Sequence, residues 1–135
     1  MRLKTLQLIV GVALMCAAPL GLADAGQAMK GLTRTVVTKG DVAEVGYEAV
    51  VVRVTLAPGG TSGRHTHPGD EISYVVSGEG ELLVDGQPSL SLKPDQAFIV
   101  PGGKIHELKN PTDKPMHLIG TYVVKKGEPL ATPAH

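Results

Sequence analysis

The chain has 135 residues, and 13 Lys and Arg residues balance 13 Asp and Glu residues, so the formal net charge is zero. A chain of this length is expected to form one domain, and its charge balance gives no reason to expect binding to nucleic acid. Its 17 glycines and 10 prolines favour short strands joined by tight turns.

Residues 1–25 are predicted to be a signal peptide. Arg2 and Lys4 precede a nearly continuous apolar stretch, and the small residues Ala23 and Ala25 supply a cleavage site after Ala25. An uncleaved membrane anchor is the alternative, because the stretch is about long enough to span a bilayer. The small residues at its end favour cleavage, which predicts a secreted, periplasmic protein without membrane association.

The remainder of the chain, residues 26–135, contains no cysteine. No disulfide can therefore stabilise it, even in an oxidising compartment. A domain of this size buries only about two thirds of its unfolded surface, so it needs a well-packed core, a metal ion or a partner subunit. A homodimer is the expected assembly.

The first predicted elements are an uncertain segment and a clear strand. Residues 26–44 are polar and poorly patterned, and are interpreted as an N-terminal arm or an edge strand. A strand is predicted over 46–57, because apolar residues alternate there with mixed ones. The side chains expected on its core face are Val50, Val52, Val54 and Leu56.

Short strands are expected along the rest of the domain. Asp85-Gly86 is a strong hairpin signal, and turn residues recur about every 8 to 12 positions, which is typical of an antiparallel sandwich or barrel. No convincing amphipathic helix follows the leader. The tail, residues 125–135, is interpreted as a flexible terminus or an arm on a neighbouring subunit. Strands are predicted in EISYVVSG, in GELLVDG, and over 88–92, 96–100, 104–109 and 116–124.

The stretch GRHTHPGDE, residues 63–71, contains a candidate metal site. His65 and His67 project to the same face of a strand, since alternate residues share a face. Glu71 begins an apolar strand, where a carboxylate is costly to bury without a partner. Two imidazoles and a carboxylate suit Fe, Mn, Ni or Zn. The alternative is a solvated turn with two accidental histidines and a glutamate paired with a lysine.

A fourth ligand is expected from another strand, because three ligands within seven residues cannot easily surround an ion. His106 is the candidate, since it follows the tight turn Pro101-Gly102-Gly103 on a strand that could lie beside the first.

The spacing of these two clusters resembles the two motifs of the cupin family. The first motif is matched by Gly59, His65, His67, Glu71 and Gly78. The second is matched by Asp95, Pro101, Gly103, His106 and Asn110. Asp95 stands where the second motif often begins with Gly, and Asp also suits such a turn.

This resemblance covers residues 45–124 and implies a small single-domain bacterial cupin of the cupin 2 type. The fold would be all-β, an antiparallel β-barrel or jelly roll. His65, His67, Glu71 and His106 would point inward and hold one divalent transition metal ion, which the ligand set limits to Fe, Mn, Ni or Zn.

Three classes of function are open for such a centre. The first is a metal-dependent enzyme of the dioxygenase, decarboxylase, lyase or isomerase type that acts on a small oxygenated molecule. Tyr74, three residues after Glu71, is then the candidate acid or base. The second is a non-catalytic periplasmic module that binds a small ligand, and the third is a domain stabilised structurally by its metal. The enzyme is favoured, because an open-sided ligand set suits chemistry better than stabilisation.

Several residues near these motifs are given packing or solvent roles. His117 matches no ligand position and alternates with Ile119 and Val123 on a late strand. Tyr74 and Tyr122 are interpreted as lining the barrel or its dimer face, and Phe98 lies on a strand before the Pro-Gly turn. All three are more typical of packing than of catalysis.

Overall fold

The structure is a computed structural model that describes residues 29–135, so the predicted signal peptide at 1–25 lies outside the described residues. The described part of the chain consists of strands and connecting turns, without any helix. It therefore contains no helix long and apolar enough to cross a membrane. The strands are β1 (Lys30–Asp41), β2 (Tyr47–Thr61), β3 (His65–Thr66), β4 (Gly69–Ser77), β5 (Gly80–Val84), β6 (Leu90–Leu92), β7 (Ala97–Val100), β8 (His106–Lys109), β9 (Met116–Lys125) and β10 (Thr132–Pro133).

All strand pairs are antiparallel, in the order β10-β3-β8-β2-β9-β4-β7. Strand β1 adds to β2, and β5 pairs with both β8 and β6. The prediction of an all-β antiparallel fold is confirmed. The sheet curls so that one face of each central strand meets a common core, which is how a curled sheet buries an apolar face without helices.

The alternation in β2 positions the core as the sequence predicts. Its four even-numbered apolar residues are buried, while Arg53 between them is exposed. Strand β9 runs beside β2 and shows the same alternation, with Leu118 and Tyr122 among its buried residues. The core is therefore one continuous cluster, and the candidate site lies at its edge.

Strand β1 occupies most of the segment for which the sequence left two alternatives. It pairs with β2 alone over most of the length of both strands. Leu32 and Arg34 are its only half-buried residues, and the others are exposed. Two of its side chains therefore face the interior of the barrel.

The tail folds back on its own chain. Thr132 and Pro133 pair with the two residues of β3, and Leu130 packs against the core. This differs from the expected flexible terminus or arm on another subunit. The physical reason is that β3 needs a partner on its outer edge, since an unpaired edge leaves backbone groups unsatisfied.

The loops of the two sequence motifs are bonded to each other. The backbone N–H of Gly103 donates to the carbonyl of His67 at 3.0 Å, and that of Gly102 donates to Asp70 Oδ1 at 2.9 Å. A Cβ on Gly102 would stand 2.9 Å from the Cα of Gly69. A larger residue at Gly102 would therefore push the two loops apart, and their close approach brings His106 toward the first motif.

Candidate metal centre

Three adjacent segments carry the four predicted ligands. His65 on β3 is the direct cross-strand partner of His106 on β8, so both side chains leave the sheet on the same face. His67 follows β3, and Glu71 points inward from β4. The structure therefore brings together all four residues that the sequence predicts.

The ligand atoms converge on one point. The Nε2 atoms of His65 and His67 are 3.2 Å apart, and Glu71 Oε2 lies 3.0 Å from the Nε2 atoms of both His67 and His106. All four ligand atoms lie within 4.8 Å of one another, and each residue is buried. This spacing suits simultaneous contact with one ion.

A common contact orients the three histidines, because the Nδ1 atom of each faces a backbone carbonyl. A carbonyl only accepts, so each Nδ1 carries a hydrogen, and in the neutral ring each Nε2 then offers a lone pair. The pairs are His65 Nδ1 with Gly63 O at 2.8 Å, His67 Nδ1 with Leu130 O at 2.5 Å, and His106 Nδ1 with Lys104 O at 2.9 Å.

Four acceptors without a donor repel one another unless a cation stands between them. With the rings neutral, the lone pairs of His67 and His106 both face the Glu71 carboxylate, and those of His65 and His67 face each other. A divalent ion relieves this repulsion, and three nitrogens with one carboxylate oxygen form a set that first-row transition metals accept. The residues present therefore fit such an ion.

Burial sets the protonation states of two ligands. It lowers the pKa of His65 to about 4, and the neighbouring His106 and His67 lower it further against the opposing effect of the Gly63 carbonyl. Burial acts to raise the pKa of Glu71, but its contacts with His106 and His67 and the hydrogen bond from Ser73 hold that pKa well below its usual range. At neutral pH the cluster therefore contains a neutral His65 and an ionised Glu71.

Ser73 fixes the second oxygen of that carboxylate. Its hydroxyl donates to Glu71 Oε1 at 2.7 Å, which leaves Oε2 directed toward the histidines. Ser73 is two residues along β4 and faces the same way, and it is buried as well. The carboxylate is thus oriented by the strand that carries it.

A small cavity adjoins three of the four ligands. His65, Glu71 and His106 line it, together with Ser73 and Tyr122 and an apolar wall that includes Phe98. The centre of a water molecule can occupy about 20 Å³ of it, and about 10–15 Å³ is enough for one water. The ligand set therefore has one side open to a space the size of one or two waters.

Tyr122 has a larger part in this site than the sequence indicates. It is the cross-strand partner of Glu71, and its ring centre is 4.6 Å from that of His67 in an edge-to-face arrangement. Burial raises the pKa of its phenol, and the charge of Glu71 raises it further. The phenol therefore keeps its proton. The alternation of β9 could have placed it inside, because Leu118 and Val124 share its face.

Arg34 of β1 also lines the cavity, and no pattern in the sequence indicates this position. It lies in the poorly patterned segment, where the residues do not alternate between apolar and polar and no motif is present. The sequence of this segment therefore does not identify which side chains point inward. Its position follows from the long-range register of β1, in which Arg34 is opposite Val54.

The structure does not bring Tyr74 to the cluster. Tyr74 is 44% exposed, and its hydroxyl donates to Asp95 Oδ1 at 2.6 Å. The reason is that side chains alternate between the two faces of a strand, so a residue three positions from Glu71 projects to the opposite face. Its candidate role as acid or base is therefore not supported by its position.

His117 and Phe98 occupy places that agree with their predicted roles. His117 Nδ1 is 3.1 Å from Thr55 Oγ1 on the neighbouring strand, away from the cluster. Phe98 is buried in the core.

Comparison with known protein families gives a match to the cupin domain over residues 52–125. The xanthan biosynthesis protein XanB of Xanthomonas campestris pv. campestris is 38% identical over 80 residues, which make up 58% of this chain and 17% of that protein. The chain therefore matches about a sixth of the length of this relative.

Solved structures share the fold at lower identity. A cupin-like protein from Thermotoga maritima has a TM-score of 0.65 at 22% identity, over 84% of this chain and 87% of that chain. The DMSP lyase DddQ from Ruegeria pomeroyi has a TM-score of 0.58 at 24% identity, over 64% of this chain and 43% of that chain. These similarities confirm the jelly-roll barrel that the motifs imply.

Proposed function

Because this chain belongs to the cupin domain family, we propose that it is a metal-dependent enzyme that acts on a small oxygenated molecule. The observation that carries this proposal is the convergence of four acceptor atoms that leave one side of the ligand set facing a small cavity. A structural metal site is usually closed by protein ligands, whereas a catalytic one keeps a position for water or substrate.

The proposed ion is Fe, Mn, Ni or Zn, held by His65, His67, Glu71 and His106. When bound, it would supply Lewis acidity that stabilises negative charge on a substrate oxygen. The protein's part is to keep the three Nε2 atoms directed inward through the Nδ1 contacts, and to keep Glu71 ionised. The apolar wall excludes bulk water, which strengthens electrostatic interactions inside the cavity.

Tyr122 supplies a proton at the cavity wall. Because its phenol stays protonated, its hydroxyl can give a proton to a substrate oxygen as a bond to that oxygen breaks, and the phenolate regains a proton from water before the next turnover. This favours a lyase or isomerase over a dioxygenase, which does not depend on a protein acid. The likeness of the fold to a DMSP lyase is consistent with this preference.

A structural role for the metal is the second candidate, and the size of the cavity favours it. Space for one or two waters is what a nearly filled barrel would leave. Under this alternative, removal of the Tyr122 hydroxyl would affect the packing of the barrel and nothing else.

The first experiment identifies the metal in protein purified from its native compartment and measures oxygen uptake and product formation with small hydroxy acids, dicarbonyl and phenolic compounds. We expect product without oxygen uptake. Oxygen consumed in proportion to product would instead identify a dioxygenase and overturn the lyase or isomerase assignment.

The second experiment compares Tyr122→Phe with Tyr74→Phe, two variants that each lose one hydroxyl. We expect Tyr122→Phe to keep its metal and lose about 100-fold or more in kcat, as removal of a general acid does. Tyr74→Phe should keep wild-type kcat, because that side chain lies on the outer face. Equal activity of both variants would contradict the proposal for Tyr122.

We propose that the protein is exported to the periplasm through residues 1–25. The support is the order of basic, apolar and small residues in that segment. N-terminal sequencing of protein from a periplasmic extract should begin at Gly26, and recovery of the intact Met1 terminus in the membrane fraction would identify an anchor instead.

We also propose that the protein is a homodimer, joined through the outer face of β4 and β7. Ile72 and Ile99 are paired neighbours there and are exposed, at 40% and 67%, and Val76 lies on the same face. Exposed apolar patches of this kind mark protein contacts. Light scattering should give a dimer for the wild type and a monomer for Ile99→Glu, whereas a monomeric wild type would contradict this assembly.

A further inference from the structure

Arg34 is half-buried and lacks a carboxylate partner among residues 29–135. Its Nε is buried and has no hydrogen-bond partner among residues 29–135. Its Nη1 reaches the sulfur of Met29 at 3.8 Å, and a thioether is a weak acceptor. A buried donor without a partner is costly, and each such group in a native structure calls for an explanation.

No carboxylate of the described residues pairs with this guanidinium. The ion pairs within 4.0 Å in this part of the chain all involve other residues. Among residues 29–135, Glu71 is the one acidic residue on the cavity wall. Ser73 donates to its Oε1, and its Oε2 is directed toward His67 and His106. No carboxylate in the described part of the chain therefore compensates the charge of Arg34 in an ion pair.

The guanidinium faces the same cavity as the cluster. Arg34 lines it with His65, Glu71, His106 and Tyr122. Its charge acts to lower the pKa of both His65 and Tyr122, and a polar contact of Arg34 with the Tyr122 phenol acts in the same direction. A dication held by three neutral imidazoles and one carboxylate has a net charge of about +1. With Arg34, the wall of the loaded cavity is doubly positive.

We propose that Arg34 is a specificity-determining residue that binds the carboxylate of an anionic substrate at the open side of the cluster. This rests on the proposed function and names its substrate class, a small molecule with a carboxylate group. A guanidinium presents parallel N–H donors that match two carboxylate oxygens. The cavity beside it has the volume of the one or two waters that those oxygens would replace.

The position of Arg34 on β1 makes this contact independent of the metal ligands. Those ligands come from β3, β4, β8 and the β3–β4 connection, whereas Arg34 is carried by the edge strand β1. Its substitution should therefore alter anion binding without removing the ion. Arg53 on β2 is the matched control, because it pairs with Thr35, the neighbour of Arg34, and faces solvent.

The test measures binding of glycolate and of its neutral analogue glycolamide by titration calorimetry, with zinc-loaded and with metal-free protein. For Arg34→Gln we expect glycolate affinity to fall at least about tenfold, since charge-assisted hydrogen bonds are lost. Glycolamide affinity and zinc content should stay at the wild-type level, and Arg53→Gln should match the wild type throughout. Arg34→Lys keeps the charge but lacks the planar guanidinium, so its glycolate affinity should lie between those of the wild type and Arg34→Gln. This variant replaces Arg34→Gln in the test if Arg34→Gln does not fold.

Each outcome decides one of the two claims. Unchanged glycolate affinity in Arg34→Gln, with zinc still bound, would overturn the inference and leave the metal centre intact. Absence of binding of zinc, iron, manganese and nickel by the wild type in parallel titrations would overturn the proposed function. In that case glycolate binding to the metal-free proteins still tests the inference. Weaker binding by Arg34→Gln than by the wild type would support it, and equal binding would overturn it.

Discussion

At the scale of single residues, the behaviour of the site depends on where each imidazole carries its hydrogen. The Nδ1 contacts assign that hydrogen to the side away from the cluster. Protons and a metal ion therefore compete for the same Nε2 lone pairs, so metal binding is expected to weaken as pH falls.

The metal-free protein should lose stability in acid. The pKa of His65 is about 4 in the folded chain against 6.5 for an ordinary histidine, so the unfolded chain takes up a proton first and the free energy of unfolding falls between these two values. The loss should be on the order of 3 kcal/mol at most. Glu71 acts in the same direction, because its pKa is lowered on folding and the unfolded chain protonates first.

Urea denaturation of EDTA-treated protein at pH 7, 5.5 and 4 measures this loss. His65→Asn should show a flatter dependence on pH, while His117→Asn, which changes a histidine outside the cluster, should keep the wild-type slope. A free energy of unfolding that stays constant from pH 7 to 4 would contradict the assignment.

At the scale of elements, the site depends on a two-residue strand held on both sides. Strand β3 lies between β8 and β10, and the tail that carries β10 also supplies the Leu130 carbonyl to His67. The tail is thus part of the metal centre although it contributes no ligand atom. Hydrogen bonds of this kind orient ligands and strengthen metal binding.

Removal of residues 128–135 should weaken metal binding about 10- to 100-fold, because His67 loses its orienting carbonyl and β3 loses its outer partner. The core strands remain, so the truncated protein should keep its far-UV circular dichroism. Removal of His135 alone leaves Leu130 and β10 in place and is the control. Equal zinc affinity of the two truncated proteins would show that the tail does not orient His67.

The turn before β7 gives a second test at this scale. Asp95 has a φ of 67°, the left-handed region, which explains why this position of the motif often contains glycine. Asp95→Gly should therefore change the free energy of unfolding by less than about 1 kcal/mol, whereas Asp95→Val should lower it by roughly 1–3 kcal/mol. Thermal denaturation checks both, and equal stability of the two variants would contradict a conformational role.

At the scale of the whole molecule, residues 29–135 form a small domain without cysteine in which a buried cluster of acceptors replaces part of the apolar core. A cluster that repels itself when empty destabilises the native state. A ligand that binds the native state alone stabilises it by mass action.

Zinc should accordingly stabilise the protein against heat. At a concentration of about 100 times Kd, the free energy of unfolding should rise by about 2.7 kcal/mol, and EDTA should reverse the rise in Tm. Glu71→Gln, which keeps the shape of the side chain but removes its charge, should show a much smaller rise. The same Tm with and without zinc in the wild type would contradict native-state binding.

The sequence predicts the features of the fold and the site that a local pattern encodes. Alternation in β2 predicts its buried face, and the motif spacing predicts the four residues that the structure brings together. Tyr74 could have been excluded from the sequence alone, because side chains alternate along a strand and Tyr74 is three positions from Glu71. Arg34 and the tail could not be placed, because their positions follow from long-range pairing of segments with little pattern.

The central claim is that one ion is held by residues from both sequence motifs. Elemental analysis of metal per chain tests it in wild type, His65→Ala, His106→Ala and the control His117→Ala. We expect about one equivalent in the wild type and in His117→Ala, and well below one in the two cluster variants, since loss of one ligand from a set of four weakens binding strongly. Wild-type metal content in both His65→Ala and His106→Ala would contradict the proposed centre.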